Sequence, residues 1–83
     1  MYGTLFAGDT MKEYKERIRE LREDSDLTQA DVAKALGTTQ QVYSRYENGT
    51  NEMPLRHLVA LARFYNVQSD YLLGLTDEKR PIQ

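Results

Sequence analysis

The sequence contains no cysteine, and this absence excludes disulfide bonds and thiolate metal sites from the 83-residue chain. It also lacks any run close to the ~20 apolar residues that a membrane-spanning helix needs. No basic segment followed by an apolar stretch stands at the N-terminus, so no secretory signal is indicated and we expect a cytoplasmic protein. The length predicts one domain with one modest core, because so short a chain buries only about 60–65% of its unfolded surface.

Groups that catalyse reactions or bind metals are equally scarce. His57 is the single histidine and has no cysteine to share a metal with. No glycine-rich phosphate loop occurs, and no pair of residues suggests a nucleophile and its base. We therefore predict that the protein is not an enzyme and that it uses no metal and no cofactor.

An excess of positive charge is also missing, since 11 basic and 13 acidic residues leave a net charge of −2. This balance argues mildly against a nucleic-acid partner, because proteins that bind nucleic acids usually carry a basic surface. Segment 12–24 holds five basic residues and five acidic residues. In segment 38–51 the only charged residues are Arg45 and Glu47. We expect segment 38–51 to bind phosphate only modestly.

Apolar residues recur at helical spacing along most of the chain. The helix predicted over 12–24 is marked by Met11, Tyr14, Ile18 and Leu21. A second long helix is predicted to begin near Pro54 and to end near Asn66, and a short one follows until Gly74 stops it. No alternation typical of strands appears after residue 10. With the two helices described next, the sequence predicts an all-α domain of five helices.

Residues 28–49 are predicted to form two short helices joined by a tight turn. Thr28 begins a sequence that resembles a capping box, and Gly37 suits the left-handed position that ends a helix. Thr39 then caps the next helix, which ends at Gly49. Two helices that meet across about three residues have the spacing of a helix-turn-helix.

The second helix of this pair has two chemically different faces. At 100° per residue its polar side chains fall within about 140° of one another. They are Gln40, Gln41, Ser44, Arg45 and Asn48. The opposite arc is apolar apart from Glu47. Amide, hydroxyl and guanidinium groups suit the base edges of a DNA major groove better than the Lys and Glu of an ordinary solvated face would.

Residues 12–74 resemble the helix-turn-helix domain of the Xre family, which includes the lambdoid phage repressors and Cro proteins. The resemblance rests on RIRELREDSDLTQADVAKALGTTQQVYSRYENG, on the proline at position 54 and on DYLLG. It implies a five-helix, lambda-repressor-like fold in which helices 2 and 3 form the helix-turn-helix. It also implies a transcriptional repressor that binds double-stranded DNA as a homodimer at a palindromic operator. We expect no membrane partner.

The resemblance assigns base contacts to the start of the recognition helix. Gln40 would bond an adenine through its N6 and N7 atoms, and Gln41 would reach the neighbouring base. Ser44 and Arg45 lie one turn further on, where Arg45 would contact a guanine or a phosphate.

The resemblance also assigns contacts with the DNA backbone. The implied phosphate-contacting residues are Gln29, Thr39, Asn48 and Arg22. Arg22 and Glu47 match positions that form a salt bridge between helix 1 and the recognition helix. Arg22 is thus the one charge of segment 12–24 that we expect to be buried. Two features depart from the family: the loop 50–54 lacks basic residues, and Tyr43 replaces an aliphatic residue, so its hydroxyl needs a partner or access to solvent.

Three regions are predicted: an N-terminal arm (1–10), the DNA-binding domain (11–75) and a polar, mobile C-terminal tail (76–83). The arm is either a frayed end or a segment that packs on the domain or on a second subunit. A second function also stays open. The low charge and the missing basic loop favour an antitoxin or adaptor whose main partner is another protein, such as a toxin.

Overall fold

The structure, a computed structural model, describes residues 13–83. Its helices are α1 Tyr14–Asp24, α2 Gln29–Leu36, α3 Gln40–Glu47, α4 Leu55–Tyr65 and α5 Ser69–Leu72. No strand occurs between residues 13 and 83, and the predicted all-α class with five helices is confirmed. The predicted arm (1–10) lies outside the described residues. Within the described part, none of the helices has the length and apolar character needed to cross a membrane.

The ends of α2 and α3 are fixed by local hydrogen bonds. The hydroxyl of Thr28 accepts from the backbone N–H of Asp31 at 3.1 Å, and the Asp31 carboxylate accepts from the Thr28 N–H at 2.9 Å. Gly37 ends α2 with a φ of 74°, in the left-handed region. Thr39 begins α3 by accepting from the Val42 N–H at 3.2 Å. These caps confirm the predicted boundaries and hold the turn between the helices short.

The core lies between the inner faces of all five helices. α2 packs on α3 and α4, α1 packs on α3 and α5, and α4 packs on α5. The largest fully buried side chains are Tyr43, Ile18, Leu61, Leu72 and Val32. Because α3 is buried along one side by α1 and α2, its polar side is held facing outwards.

The burial of Arg17 was not predicted. Its side chain is only 3% exposed, although the sequence placed it on the solvated face of the first helix. The guanidinium lies 4.1 Å from the centre of the Tyr71 ring and 2.9 Å from the carboxylate of Asp77. α1 is thereby joined to α5 and to the segment that follows it through a cation–π contact and an ion pair.

The C-terminal tail (76–83) lies against the end of α4 and the start of α5. Gln68 donates its backbone N–H to the carbonyl of Arg80 at 3.0 Å, and the Asn66 side chain accepts from the Ile82 N–H at 3.1 Å. The sequence predicted a polar, mobile tail, and these contacts with the domain were not foreseen.

His57 has a structural role in the described chain. The ring is 7% exposed, and its Nδ1 lies 2.8 Å from the hydroxyl of Tyr46. Burial, helped by the nearby charge of Arg56, lowers the pKa of His57 below its ordinary value. The neutral imidazole is therefore the form that the fold favours.

We expect the protein to lose stability as the pH falls below about 6.5, the ordinary pKa of histidine. The unfolded chain then binds a proton at His57 more readily than the folded chain does, and protonation favours unfolding. Urea unfolding of the parent and of His57→Gln at pH 7.5 and pH 5.5 tests this. The parent should lose more stability between these values than the variant, and equal losses would contradict the prediction.

Candidate nucleic-acid interface

The outer face of α3 forms a shallow concave surface of about 420 Å³. It is lined by Gln40, Gln41, Ser44, Arg45 and Asn48. Ser44 is half-buried and the other four are exposed. The structure therefore brings together all of the residues predicted to contact bases, with Asn48 beside them. We call this surface the reading face.

Most of the reading face keeps its hydrogen-bonding groups unused. Within residues 13–83, the side chains of Gln40, Gln41 and Arg45 form no hydrogen bond or ion pair. Two amides and a guanidinium are thus available to an external partner that offers both donors and acceptors.

The opposite side of α3 is fixed by the buried carboxylate of Glu47. Arg22 donates to it twice, from Nε at 2.8 Å and from Nη2 at 3.1 Å, in a bidentate pair. Gln29 donates to the same carboxylate at 3.1 Å. The side chains of Glu47 and Arg22 are 4% and 14% exposed. The Glu47 carboxylate thus connects α1 and α2 to α3. The hydrogen bond from Gln29 was not predicted, because nothing in the sequence pattern indicates it.

The balance of forces at Glu47 favours its charged form. Burial alone would raise the pKa of this carboxyl, but the hydrogen bonds from Arg22 and Gln29 outweigh burial and hold the pKa below its ordinary value. Arg22 also donates from Nη1 to the carbonyl of Leu27 at 3.0 Å. A guanidinium has five N–H groups, so Arg22 keeps N–H groups for a further acceptor.

Of the residues predicted to contact phosphate, Thr39 and Asn48 lie at the two ends of α3, whereas Gln29 begins α2 and Arg22 lies in the last turn of α1. Thr39, at the N-terminal end, accepts from Val42 and keeps its own hydroxyl proton to donate. Asn48 lies at the C-terminal end. Its side-chain oxygen accepts hydrogen bonds from the N–H and the hydroxyl of Thr50, at 2.9 and 2.6 Å, and its NH₂ group stays available to donate to a phosphate. Gln29 has one amide N–H committed to Glu47 and one remaining.

The Tyr43 hydroxyl has neither the partner nor the solvent access that the sequence required. The residue is 0% exposed, and its hydroxyl has no hydrogen-bond partner within the described residues. Burial, with the charge of Glu47 close by, raises the pKa of Tyr43 well above its ordinary value. The hydroxyl is therefore a neutral group in the core that lies close enough to the Glu47 carboxylate to interact with it, although no hydrogen bond of good geometry joins the two.

No group of histidine, cysteine or carboxylate side chains in residues 13–83 is arranged to hold a metal ion.

Comparisons with known proteins agree with this arrangement. The helix-turn-helix family matches residues 18–72. The uncharacterized HTH-type transcriptional regulator YobD of Bacillus subtilis is 43% identical over 68 residues, which are 82% of this chain and 61% of YobD. The cryptic phage CTXphi transcriptional repressor RstR of Vibrio cholerae is 39% identical over 54 residues, 65% of this chain and 49% of RstR. The chain thus spans about half to three fifths of the length of these relatives.

A solved structure has the same fold. It is the P22 c2 repressor in complex with a synthetic operator, which superimposes with a TM-score of 0.70 at 31% identity. The match covers 75% of this chain and 94% of that one. Since the family match covers both helices of the motif and most of the domain, the chain belongs to the Xre-type helix-turn-helix family.

Proposed function

We propose that the protein is a sequence-specific transcriptional regulator that represses by reading a palindromic operator in the DNA major groove. The observation that carries this proposal is the reading face, an exposed polar surface on a helix whose other side is locked into the core. A major groove about 12 Å wide admits one α-helix, and its base edges offer the donors and acceptors that amides and guanidinium groups match.

Base recognition is assigned to the first turns of α3. Gln40 and Gln41 stand at its N-terminal end, where a recognition helix meets base edges. A glutamine amide pairs with adenine through two hydrogen bonds, so each of these residues can select a base. Arg45 is placed one turn on, with Ser44 beside it, and selects a guanine or holds a phosphate.

Phosphate contacts set the register of the helix in the groove. Thr39 lies beside the reading face and Asn48 at its C-terminal end, and both have donors to offer. Arg22 offers the N–H groups that Glu47 and Leu27 leave unused. Gln29 adds the second N–H of its amide. The carboxylate of Asp31 lies in the same first turn of α2 and repels phosphate, which makes Gln29 the weakest of these contacts.

A two-fold dimer is part of the proposal, because a palindromic site repeats the same half-site roughly 34–36 Å away. We assign the contact surface to α5 with the start of α4, because exposed apolar side chains lie there. Leu55 and Leu73 are 76% and 42% exposed and line one shallow apolar groove, and Leu75 beyond it is 65% exposed. An isologous contact through this surface would use the same residues on both subunits.

The relatives support repression and not merely DNA binding. RstR is named as a transcriptional repressor, and the P22 c2 repressor was solved on operator DNA. A chain that acts on chromosomal or phage DNA works in the cytoplasm of a bacterium.

Selection of bound sequences from random duplexes, followed by a salt titration on the selected site, tests the function. We expect a palindromic consensus and an affinity that falls linearly when both affinity and salt concentration are plotted as logarithms. Failure to enrich any motif at low salt would overturn the proposal. It would favour a protein-binding role instead, which the net charge of −2 supports.

A further inference from the structure

The reading face is poor in positive charge for a surface that meets a polyanion. Arg45 is its one charged residue, because Glu47 is buried in its pair with Arg22. The loop 50–54, which follows α3, contains no basic residue and contains Glu52. A cation at the C-terminal end of α3 therefore has to come from another part of the chain.

Lys15, in the first turn of α1, reaches this end of α3. A Cβ atom placed on Gly49 would lie 3.1 Å from both the Cδ and the Nζ of Lys15. The stem and the ammonium thus lie directly against the backbone of Gly49, one residue after Asn48 of the reading face. Gly49 leaves room for Lys15 because it has no side chain. Its φ of 81° also favours glycine at this position, since other residues rarely adopt such a conformation.

The ammonium of Lys15 is only loosely held by the protein. Its one ion-pair partner in the described chain is Glu13, at 3.7 Å, and that carboxylate is 68% exposed. Exposed pairs of this kind contribute little and are screened by salt. The side chain of Lys15 is itself 38% exposed, so a ligand can approach the ammonium.

We propose that Lys15 binds a phosphate of the DNA backbone beside Asn48, and that α1 thereby supplies the cation that the loop 50–54 lacks. This inference rests on the proposed function and adds a residue that neither the family resemblance nor the reading face includes. An ammonium is a point charge that a backbone phosphate attracts whatever the base sequence. Lys15 therefore contributes affinity and salt dependence, whereas Gln40 and Gln41 contribute specificity.

The rival structural role is that Lys15 stabilises α3. The C-terminal end of a helix carries partial negative charge, and a nearby cation stabilises it. The two roles predict different measurements, because stabilisation of α3 appears in thermal unfolding without DNA, whereas phosphate binding appears in the salt dependence of the affinity for DNA.

The test measures affinity for the selected duplex at several salt concentrations, for the parent, Lys15→Gln and Lys15→Arg. Loss of one phosphate contact reduces the log–log salt slope by about 0.9 for each bound subunit, and it weakens binding roughly tenfold for each subunit at about 0.1 M salt. Lys15→Gln should show both effects and should weaken binding equally for duplexes altered at single base pairs. Lys15→Arg should restore most of the slope, because it keeps the charge.

Arg63→Gln is the matched control. It removes one positive charge from the depression between α4 and the C-terminal tail, away from α3, and should leave the slope close to that of the parent. An unchanged slope in Lys15→Gln would overturn the inference, as would a lower melting temperature with an unchanged slope, which would assign Lys15 to stabilising α3. Failure of the proposed function is distinguishable, since the parent itself would then select no motif.

Discussion

Replacing Glu47 with alanine should lower the free energy of unfolding by about 3 kcal/mol, close to the low end of the range for breaking a buried ion pair. The variant leaves the guanidinium of Arg22 in a site that is 14% exposed, without the carboxylate that accepted two of its hydrogen bonds. It also removes the acceptor of Gln29. Some contact of Arg22 with water keeps the loss from being larger.

Urea and thermal unfolding of the parent and the variant measure this loss. For a domain of this size, about 3 kcal/mol corresponds to a fall of roughly 12–24 °C in melting temperature. Glu23→Ala is the matched control, because Glu23 also lies near Arg22, at 4.0 Å, but is 59% exposed. It should change the stability by less than about 0.5 kcal/mol. Equal melting temperatures for Glu47→Ala and the parent would refute the prediction.

The pH dependence of the same loss has a defined sign. The folded pKa of Glu47 lies below the ordinary 4.5, so its charge stabilises the fold above that pH and ceases to do so as the pH falls through the folded pKa. The difference in stability between the parent and Glu47→Ala should therefore have its full size at pH 7 and should become smaller in acid.

A double variant, Arg22→Met with Glu47→Leu, should recover much of the stability that Glu47→Ala loses, because no buried charge is left unpaired.

The parts of the fold that local chemistry determines could be predicted from the sequence. Thr28, Gly37 and Thr39 act on groups within a few residues of themselves, and a helix boundary depends mainly on such neighbours. The composition of the reading face follows from helical periodicity alone. These features need no knowledge of which helices pack together.

Features that depend on packing could not be predicted in this way. Arg17 and Asp77 are 60 positions apart, and nothing in the pattern of α1 distinguishes Arg17 from the solvated charges around it. Its burial depends on where Tyr71 is placed by the α4–α5 turn. The same limit applies to the bond from Gln29 to Glu47 and to the approach of Lys15 to Gly49, since each joins different helices.

The contacts of the site residues depend on the DNA as well as on the fold. The fold sets the positions of Gln40, Gln41, Ser44 and Arg45 on one exposed face, and the operator sequence sets the bases that they meet. A specificity experiment on individual base pairs is therefore more informative here than any further measurement on the protein alone.

The substitution Gln40→Ala should weaken binding by about 1–3 kcal/mol for each half-site, roughly 5- to 150-fold, and should relax the preference at one base pair of each half-site. The side chain of Gln40 is exposed and makes no hydrogen bond within the described chain, so its loss leaves the fold unstrained. Alanine is also a good helix former, and the melting temperature of the variant should stay near that of the parent. Gln83→Ala is the matched control, since Gln83 is an exposed glutamine that lies beside Arg63 in the C-terminal tail, and it should leave the affinity unchanged.

A change in the DNA makes the same prediction sharper. If Gln40 bonds both N6 and N7 of an adenine, replacing that adenine with 7-deazaadenine removes one acceptor while base pairing is kept. The parent should lose affinity for the altered duplex, whereas Gln40→Ala should bind both duplexes equally, because the interaction is already absent. The two changes then give a coupling energy of about 1 kcal/mol or more, as interacting partners do in a double-mutant cycle. Additive losses would mean that Gln40 does not contact that adenine, even if its removal weakens binding.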